Sequence, residues 1–324
     1  MYLGVDGGGT KTAVVLISRE GRVLARHEAG AAYYIAAGLD NVRSTLALAV
    51  QAVLAKAGIA ASAIEFAFFG LPSYGEDSSL TGALDALPAA CLPAGHYRCG
   101  NDMVCGWAGS LGGGDGISVV AGTGSISYGE RGGVAVRCGG WGELFSDEGS
   151  AYWIACRGLN LYSRMSDGRA PHGPLHRLFN ARLELDHDLD LCARVYGDSG
   201  ADRTRIAQLS KVVFEAATDG DRQAAAIFTE AAEELADLVD ATRRRLGFVA
   251  DELVPVSYSG GVFANASQTI LSRFATALTA RWAHYALREP AFPPDIGAAL
   301  YAARCNRAPL TPAALERLRQ RGRS

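Results

Sequence analysis

The sequence has no excess of positive charge and no long hydrophobic run. Its 324 residues include 31 Lys and Arg against 34 Asp and Glu, so the net charge is −3. Without a basic field the chain is a poor candidate for binding nucleic acid or an anionic membrane. No apolar run approaches the roughly 18 residues of a membrane-spanning helix, and the first residues lack the charged and apolar regions of a signal peptide. We therefore expect a cytoplasmic protein.

Motifs that would indicate a redox or metal centre are also missing. The seven cysteines are odd in number and include no C-x-x-C pair, which predicts reduced and mostly buried thiols. His172, His176 and His187 show no spacing typical of metal ligands. The apolar fraction of 49% and the length of the chain predict a real hydrophobic core and two domains.

The two common phosphate-binding loops are absent, and a glycine hairpin stands at the start of the chain instead. Neither G-x-x-x-x-G-K-[ST] nor G-x-G-x-x-G occurs. The apolar runs Tyr2–Val5 and Ala13–Ile17 predict two strands joined by a turn. That turn reads Gly7-Gly8-Gly9-Thr10-Lys11. Consecutive glycines leave backbone N–H groups unobstructed, which suits phosphate oxygens; a tight turn without a ligand is the alternative.

Two further glycine turns follow predicted strands. Gly116–Tyr128 reads strand, glycine turn, strand, in the same order as the first hairpin, and Leu253–Tyr258 is a strand that leads into the third turn. The later turns contain Thr123, Gly124, Ser125, Gly260 and Gly261. This repeated order of strand, glycine turn and strand favours duplication of a structural unit over chance similarity of two hairpins. Three such turns suggest loops from two domains that bind one polyphosphate.

Two acids stand at predicted strand ends. Asp6 precedes the first glycine turn, where a carboxylate can hold Mg²⁺ through its water ligands; an Asp that initiates the turn by bonding its own backbone is the alternative. Asp102 follows Asn101 at the end of another predicted strand. A carboxylate there could receive the proton of an acceptor hydroxyl in phosphoryl transfer, and capping of the segment Met103–Gly109 is the alternative for Asp102.

The glycine-rich stretch Gly139–Tyr152 carries Trp141, Asp147 and Glu148. Carboxylates accept protons from sugar hydroxyls, and an indole face covers the C–H surface of a sugar ring. The stretch therefore predicts a sugar-binding loop. A charged surface loop with one anchoring Trp is the alternative.

Five motifs taken together resemble one family. They are DGGGTKT at Asp6–Thr12, AGTGS at Ala121–Ser125, GGWG at Gly139–Gly142, SDEGSAYW at Ser146–Trp153 and SGGVFAN at Ser259–Asn265. The family resembled is the N-acetylglucosamine kinase-like group, classed with the benzoyl-CoA-reductase-activator type ATPases in the actin/hsp70/sugar-kinase superfamily. The resemblance implies an α/β fold of two ribonuclease-H-like domains with a nucleotide cleft between them. The domains would be residues 1–115, joined by a C-terminal helix at 296–324, and residues 116–295.

The resemblance also implies roles for the matching residues. Gly7, Gly8, Gly9 and Thr10, with Lys11, are similar to the first phosphate loop, and Asp6 is similar to the Mg²⁺-associated acid. The second phosphate loop and the adenosine loop correspond to Thr123, Gly124, Ser125, Gly260, Gly261 and Asn265. Asp102 falls where the family's catalytic base lies. The predicted sugar-binding residues are Tyr33, Tyr34, Asn101, Asp102, Trp141, Asp147 and Glu148. The implied reaction transfers the ATP γ-phosphoryl group to the 6-hydroxyl of an amino sugar, with Mg²⁺ as cofactor, and we expect a homodimer.

One segment departs from the family pattern. Where the animal enzymes of the family place an Asn that contacts the sugar, Ala31–Ile35 contains Tyr33 and Tyr34. The sugar therefore stays open between N-acetylglucosamine, glucosamine and glucose.

Two other functions are consistent with the same superfamily. An ATPase that activates a redox partner would hold an iron–sulfur cluster with paired cysteines, and Cys99 and Cys105 are the nearest pair. A sugar-sensing regulator of kinase ancestry is the second, although the chain shows no DNA-binding extension and its net charge is negative.

Overall fold

Two five-stranded mixed sheets, one in each of two compact units, organise the chain. The structure is a computed structural model that describes residues 1–197, 202–265 and 267–321. The first unit comprises Met1–Asp115 and Glu289–Ser324, of which residues 322–324 lie outside the described part, and the second comprises Gly116–Arg288.

The strands of the two sheets occur in two separate blocks of the chain. The first sheet contains β1 (Tyr2–Gly7), β2 (Thr12–Ile17), β3 (Val23–Ala29), β4 (Phe66–Leu71) and β5 (Tyr97–Asn101). The second contains β6 (Gly116–Ala121), β7 (Ser125–Arg131), β8 (Val134–Gly139), β9 (Val254–Ser259) and β10 (Tyr285–Arg288).

The α-helices connect and cover these strands. In the first unit they are α1 (Tyr34–Ala37), α2 (Leu39–Ala57), α3 (Thr81–Asp85) and α4 (Met103–Leu111). In the second they are α5 (Ala151–Ser166), α6 (Pro174–Leu183), α7 (Asp190–Tyr196), α8 (Arg203–Gln208), α9 (Ser210–Thr218), α10 (Arg222–Arg245), α11 (Gly261–Asn265) and α12 (Ser267–Arg281). The chain then returns to the first unit in α13 (Pro294–Cys305) and α14 (Pro312–Arg321).

The two sheets share one topology. The first has the order β3-β2-β1-β4-β5 and the second the order β8-β7-β6-β9-β10. In each, three strands form an antiparallel meander and the remaining two run parallel to its first strand. The predicted α/β class with two similar halves is confirmed. The shared topology also explains why two glycine turns occur at equivalent places, after β1 and after β6.

Helix α13 lies very close to β1 and α4, because glycine stands at the contact points. A Cβ on Gly4 would overlap the backbone of Asp295 and Ala299, and a Cβ on Gly297 would overlap the carbonyl oxygen of Cys105. Close packing of this kind brings the first turn of α13 next to the end of β1. Asp295 thereby comes to lie near Asp6.

Residues 289–295 belong to the first unit, in contrast to the predicted boundary at 295. The backbone N–H groups of Ala291 and Phe292 donate to the carbonyl oxygens of Ser110 and Gly109, at 3.1 Å and 3.0 Å. These bonds attach the segment before α13 to the end of α4. Composition carries no signal of such pairing.

The glycine contact of α13 gives a stability prediction. We expect Gly297→Ala to lower the free energy of unfolding by about 1–3 kcal/mol, the usual cost of overpacking a close contact. The matched control is Gly106→Ala on α4, where an added Cβ meets no atom within 4 Å. That change should be neutral or stabilise the helix by up to about 1 kcal/mol. Urea unfolding monitored by circular dichroism measures both, and equal stability of the two variants would contradict the packing argument.

Within the described residues, no helix combines the length and the apolar character needed to cross a membrane.

Candidate functional site

The first glycine turn lies between β1 and β2 and is open to solvent. The Gly8 N–H donates to the Lys11 carbonyl at 2.9 Å and closes the turn, while Gly9 and Thr10 are exposed. The Lys11 ammonium pairs with Glu28 at 2.8 Å, and both side chains are exposed. An exposed ion pair contributes little to stability because water screens it, so Lys11 can exchange Glu28 for another anion.

The segment with the two tyrosines is attached to this turn. The Ala32 N–H donates to the Gly8 carbonyl at 3.1 Å, so residues 31–35 begin beside the glycines. Tyr34 is buried and opens α1, while Tyr33 is partly exposed, and their ring centroids are 6.5 Å apart. Tyr33 therefore keeps accessible surface, and its contact with a sugar stays a prediction, whereas Tyr34 belongs to the core.

Acidic side chains converge at the end of β1. Asp6 is largely buried, and burial, followed by the charges of Asp102 and Asp295, raises its pKa from 3.8 to about 7. The Cys105 thiol donates to the carbonyl oxygen of Val5, the residue before Asp6, at 3.7 Å, and burial raises the pKa of this thiol well above its usual value. The charges of these three carboxylates, all in one unit, thus influence one another. Perturbed pKa values of this kind are common at catalytic and binding sites.

Asp102 is not the side chain that caps α4. It stands at the N-cap position, but its backbone is already helical (φ −61°, ψ −25°) and its carboxylate makes no capping hydrogen bond. Instead, Asn101 Oδ1 accepts from the Met103 N–H at 3.1 Å, and Asn101 Nδ2 donates to the Tyr74 carbonyl at 3.1 Å. The capping interpretation of Asp102 is therefore wrong. Asn101 has a structural role in the helix start, and its contact with a sugar stays a prediction.

The second glycine turn is built into the start of α5. The Gly122 N–H donates to the Gly124 carbonyl at 2.9 Å, and the Gly122 carbonyl accepts from the Ala151 N–H at 2.9 Å. Ser125 is buried, and its hydroxyl donates to the Glu148 carbonyl at 2.7 Å. The Thr123 side chain is exposed. Thr123 and the backbone of the turn are accordingly available to an anion, whereas the Ser125 hydroxyl is already bonded.

The third glycine turn joins β9 to α11 beside the second. Gly260 has φ +100°, and a Cβ there would overlap the Ala121 carbonyl, so only glycine is accommodated. Gly261 begins α11 and is exposed. Asn265 ends α11, and its side chain lies outside the described part of the chain.

A cavity of about 310 Å³ in the second unit lies against both of these turns. Its walls combine glycine-turn residues with helical side chains from α5, α8, α9 and α10. They are Gly122, Thr123, Ala151, Ile154, Ala207, Gln208, Ser210, Lys211, Phe214, Phe228, Gly261 and Val262. A volume of this size is within the usual range of small-molecule sites, about 300–1,000 Å³. The helical wall was missed by the sequence analysis, since its residues follow ordinary helix patterns.

The predicted sugar loop exposes its aromatic residue and buries one of its acids. The Trp141 side chain is 73% exposed, and Leu144 and Phe145 are exposed as well. Asp147 is 2% exposed, adopts φ +61°, and accepts from Arg203 Nη2 at 2.5 Å. Burial raises the pKa of Asp147, and Arg203 opposes that shift. Direct contact between Asp147 and a sugar stays a prediction, because the carboxylate is occupied within the protein.

Glu148 is partly exposed on the same loop. Its carboxylate accepts from the Ser146 hydroxyl at 3.3 Å, and its backbone carbonyl accepts from Ser125. The side chain can reach a ligand, and the backbone ties the loop to β7.

No cluster of three or more His, Cys, Asp and Glu side chains within the described ranges is arranged to hold a metal by itself. Mg²⁺ does not need one, because it keeps several waters and is usually held by one or two carboxylates plus substrate phosphates. Asp6 beside the first glycine turn fits that donor set. Its neighbours Asp102 and Asp295 add negative charge that favours a divalent cation.

Curated sugar kinases are similar to this chain over most of its length. The N-acetyl-D-glucosamine kinase of Dictyostelium discoideum is 29% identical over 273 residues, which cover 81% of this chain and 85% of that protein. The N-acetylmuramic acid/N-acetylglucosamine kinase of Clostridium acetobutylicum is 30% identical over 267 residues, with the same coverage of 81% and 85%.

Solved structures agree with the fold. A crystal structure of a candidate N-acetylglucosamine kinase from Chromobacterium violaceum has a TM-score of 0.68 and 26% identity, and it covers 92% of this chain and 97% of that one. A ROK family glucokinase from Streptomyces griseus has a TM-score of 0.53 at 16% identity, with coverage of 94% and 98%, and supports the fold alone. The architecture is thus that of sugar kinases of the actin-like ATPase superfamily. The family model described as the BadF/BadG/BcrA/BcrD ATPase family matches residues 3–302, and the chain therefore belongs to this family.

Proposed function

We propose that the protein is a sugar kinase that transfers the γ-phosphoryl group of ATP to the 6-hydroxyl of an amino sugar, with N-acetylglucosamine as the first candidate. The observation that carries the proposal is the position of Asp102. It stands directly after β5, where its charge acts on Asp6 beside the first glycine turn. Use of ATP follows from membership of an ATPase family, and the relatives named as N-acetylglucosamine kinases indicate the acceptor.

The nucleotide is assigned to the second unit and its phosphates to the glycine turns. The 310 Å³ cavity is lined by apolar side chains that suit a base, including Ile154 and Phe214, and by polar side chains, including Gln208 and Lys211. Backbone N–H groups of glycine turns bind phosphate oxygens without a side chain in the way. Asp6 would hold Mg²⁺ through water, and this ion supplies charge neutralisation for the phosphates when it is bound.

The chemical step requires one proton transfer by the protein. The 6-hydroxyl oxygen attacks the γ-phosphorus, the bond from the γ-phosphorus to the bridging oxygen breaks, and ADP leaves. Asp102 accepts the hydroxyl proton as this new bond forms. Because the transition state is loose, most of the acceleration comes from positioning and electrostatic stabilisation.

Among the predicted sugar contacts, Trp141 and Glu148 of the second unit have side chains that reach the surface, and so does Tyr33 of the first unit. An exposed indole can cover the apolar face of a pyranose, and a carboxylate accepts its hydroxyl hydrogens. Tyr33 would replace an amide side chain with a phenol at the position where the sequence departs from the animal enzymes. We therefore expect recognition of the sugar ring to be stronger than recognition of its N-acetyl group.

A coupled assay of ADP release over a panel of hexoses and hexosamines tests this proposal. We expect turnover that requires ATP and Mg²⁺ and that is stimulated most by N-acetylglucosamine, with glucosamine and glucose next. Phosphorus and carbon NMR of the product should locate the phosphate on oxygen 6. ATP hydrolysis at the same rate with and without sugar would refute the kinase assignment. Sugar binding without turnover would indicate a sensor.

Filling the cavity should impair nucleotide binding selectively. Ser210 lines the cavity at the start of α9, so we expect Ser210→Trp to raise KM for ATP by about 10-fold or more, which corresponds to about 1.4 kcal/mol. The matched control is Ser272→Trp at an exposed position of α12. An unchanged KM for ATP in Ser210→Trp would remove the cavity from the nucleotide site.

The redox-activator alternative is not favoured. Cys99 is 5% exposed, and its thiol lies 3.7 Å from the Leu84 carbonyl. Cys105 is fully buried, and its thiol donates to the Val5 carbonyl of β1. Burial raises the pKa of both thiols, that of Cys99 well above the usual value. Neither thiol is presented at a surface where a second subunit could share an iron–sulfur cluster.

A homodimer in the cytoplasm is part of the proposal. Light scattering coupled to size exclusion at micromolar concentration measures the mass directly, and a single species of 34 kDa would contradict the dimer.

A further inference from the structure

The guanidinium of Arg203 joins three separate parts of the second unit. Arg203 is the first residue of α8. Its Nη2 donates to Asp147 Oδ2 at 2.5 Å, and its Nε lies 3.2 Å from Glu143 Oε2. A Cβ added to Gly124 would lie 2.5 Å from Arg203 Nη2 and 2.6 Å from Asp147 Oδ2. The side chain of Arg203 therefore connects α8 with the loop Glu143–Glu148 and lies beside the second glycine turn.

The ion pair buries the carboxylate of Asp147, whereas the side chain of Arg203 stays partly exposed. Asp147 is 2% exposed and its backbone has φ +61°, a conformation uncommon for residues other than glycine. A buried carboxylate in such a position requires a compensating charge, and removal of that charge is costly. The ion pair therefore stabilises one conformation of the loop.

The second contact of Arg203 is incompletely formed. Its Nε is buried and has no hydrogen-bond partner within the described part of the chain, although Glu143 lies within ion-pair distance. A buried N–H that is left unbonded is uncommon. Because the distance already suits a hydrogen bond, a small reorientation of the Glu143 carboxylate relative to the guanidinium would complete it.

The same short helix lines the nucleotide cavity. Ala207 and Gln208 follow Arg203 by four and five residues on α8, and both line the cavity. The Asp202 carboxylate caps the helix by accepting from the Arg205 N–H at 2.6 Å, which makes α8 a defined unit. A displacement of α8 by a bound base would therefore be passed to the loop through Arg203.

We propose that Arg203 is a positioning residue that couples the nucleotide cavity to the sugar loop, so that each ligand strengthens binding of the other. The proposal rests on the function proposed above, which assigns the cavity to ATP and the loop to the sugar. Coupling of binding free energies is reciprocal. Nucleotide bound against α8 would favour the loop conformation in which Arg203 bonds both Asp147 and Glu143, and a sugar that stabilises this loop would favour the nucleotide.

Calorimetric titration of N-acetylglucosamine into the full chain tests the coupling, with and without a saturating non-hydrolysable ATP analogue and Mg²⁺. We expect the analogue to lower the Kd of the sugar by about 5-fold or more in the wild type, the lower range of typical coupling. In Arg203→Gln the ratio of the two Kd values should fall to about 1. Arg205→Gln is the matched control, because Arg205 lies on the same helix, is exposed, and bonds the Arg194 carbonyl instead. That variant should keep the wild-type ratio.

Arg203→Lys keeps the test decisive if Arg203→Gln does not fold. Lysine retains the charge that neutralises Asp147 but cannot reach both acids, since it is a point donor without the guanidinium fork. We expect a folded protein with the ratio reduced towards 1 and a raised KM for the sugar. If both Arg203→Lys and Arg203→Gln keep the wild-type ratio of sugar Kd values, or if they lower only kcat, the coupling role of Arg203 is overturned and the proposed kinase function is not affected. Failure of the wild type to bind any sugar of the panel would overturn the proposed function itself.

Discussion

Replacement of Asp102 by Asn is expected to lower kcat for sugar phosphorylation by about 10²–10⁴, the usual range for loss of a general base. Asn has the same shape as Asp but cannot accept the proton of the 6-hydroxyl. The KM values for ATP and sugar should change less than kcat, because backbone N–H groups of the glycine turns are assigned to the phosphates and other side chains are assigned to the sugar ring. The loss is expected near the lower end of the range, since a loose transition state asks little of a base.

This change should be well tolerated by the fold. The Met103 N–H at the start of α4 donates to Asn101 Oδ1, and the Asp102 carboxylate makes no capping hydrogen bond, so removal of its charge leaves this cap intact. Asp40→Asn, at an exposed position in the first turn of α2, is the control for a generic effect of charge removal. Steady-state rates and melting temperatures of both variants measure the result. A wild-type kcat in Asp102→Asn would exclude Asp102 from the chemical step.

Replacement of Asp6 by Asn is expected to weaken Mg²⁺-dependent activity and to stabilise the protein. Asp6 would contact Mg²⁺ through its waters, and loss of such an outer-sphere partner typically costs about 10–100-fold in metal affinity or activity. The Mg²⁺ concentration for half-maximal rate should therefore rise. Asn has nearly the same shape as Asp, so the change removes charge more than it removes packing.

The gain in stability should depend on pH. The pKa of Asp6 is about 7 in the folded protein against 3.8 ordinarily. Between these values the folded state binds more protons than the unfolded state, so the stability of the wild type falls as pH rises through this range. Asn has no charge to bury. The melting temperature of Asp6→Asn should exceed that of the wild type at pH 8, and the difference should disappear towards pH 4. A constant difference across this range would contradict the raised pKa.

Regular elements with strong local patterns were predicted closely. The apolar spacing predicts a helix over Asp221–Leu246, and α10 spans Arg222–Arg245 with Asp221 as its N-cap. The strand predicted at Leu253–Tyr258 is β9 at Val254–Ser259. Such elements follow from side-chain periodicity and from capping residues, which act within a few positions of the chain.

Site residues divide along a similar line. Glycine turns are visible in the sequence because a backbone conformation or a close approach demands glycine at that position, as at Gly260. Which side chain caps a helix was not visible, because Asn101 and Asp102 are adjacent and both residue types cap helices well. The hydrogen bond from the Met103 N–H to Asn101 Oδ1, seen only in the structure, assigns the cap to Asn101.

By itself the sequence determined the family motifs, the order of strands and turns, and the acids at the ends of β1 and β5. The tertiary structure alone decided that Asp295 on α13 lies near Asp6, that Arg203 pairs with Asp147 across 56 residues of chain, and that helical residues wall the cavity beside the second and third glycine turns. Local patterns record the conformation of neighbouring residues. A partner far along the chain is chosen by packing, and packing leaves no spacing in the sequence from which that partner can be read.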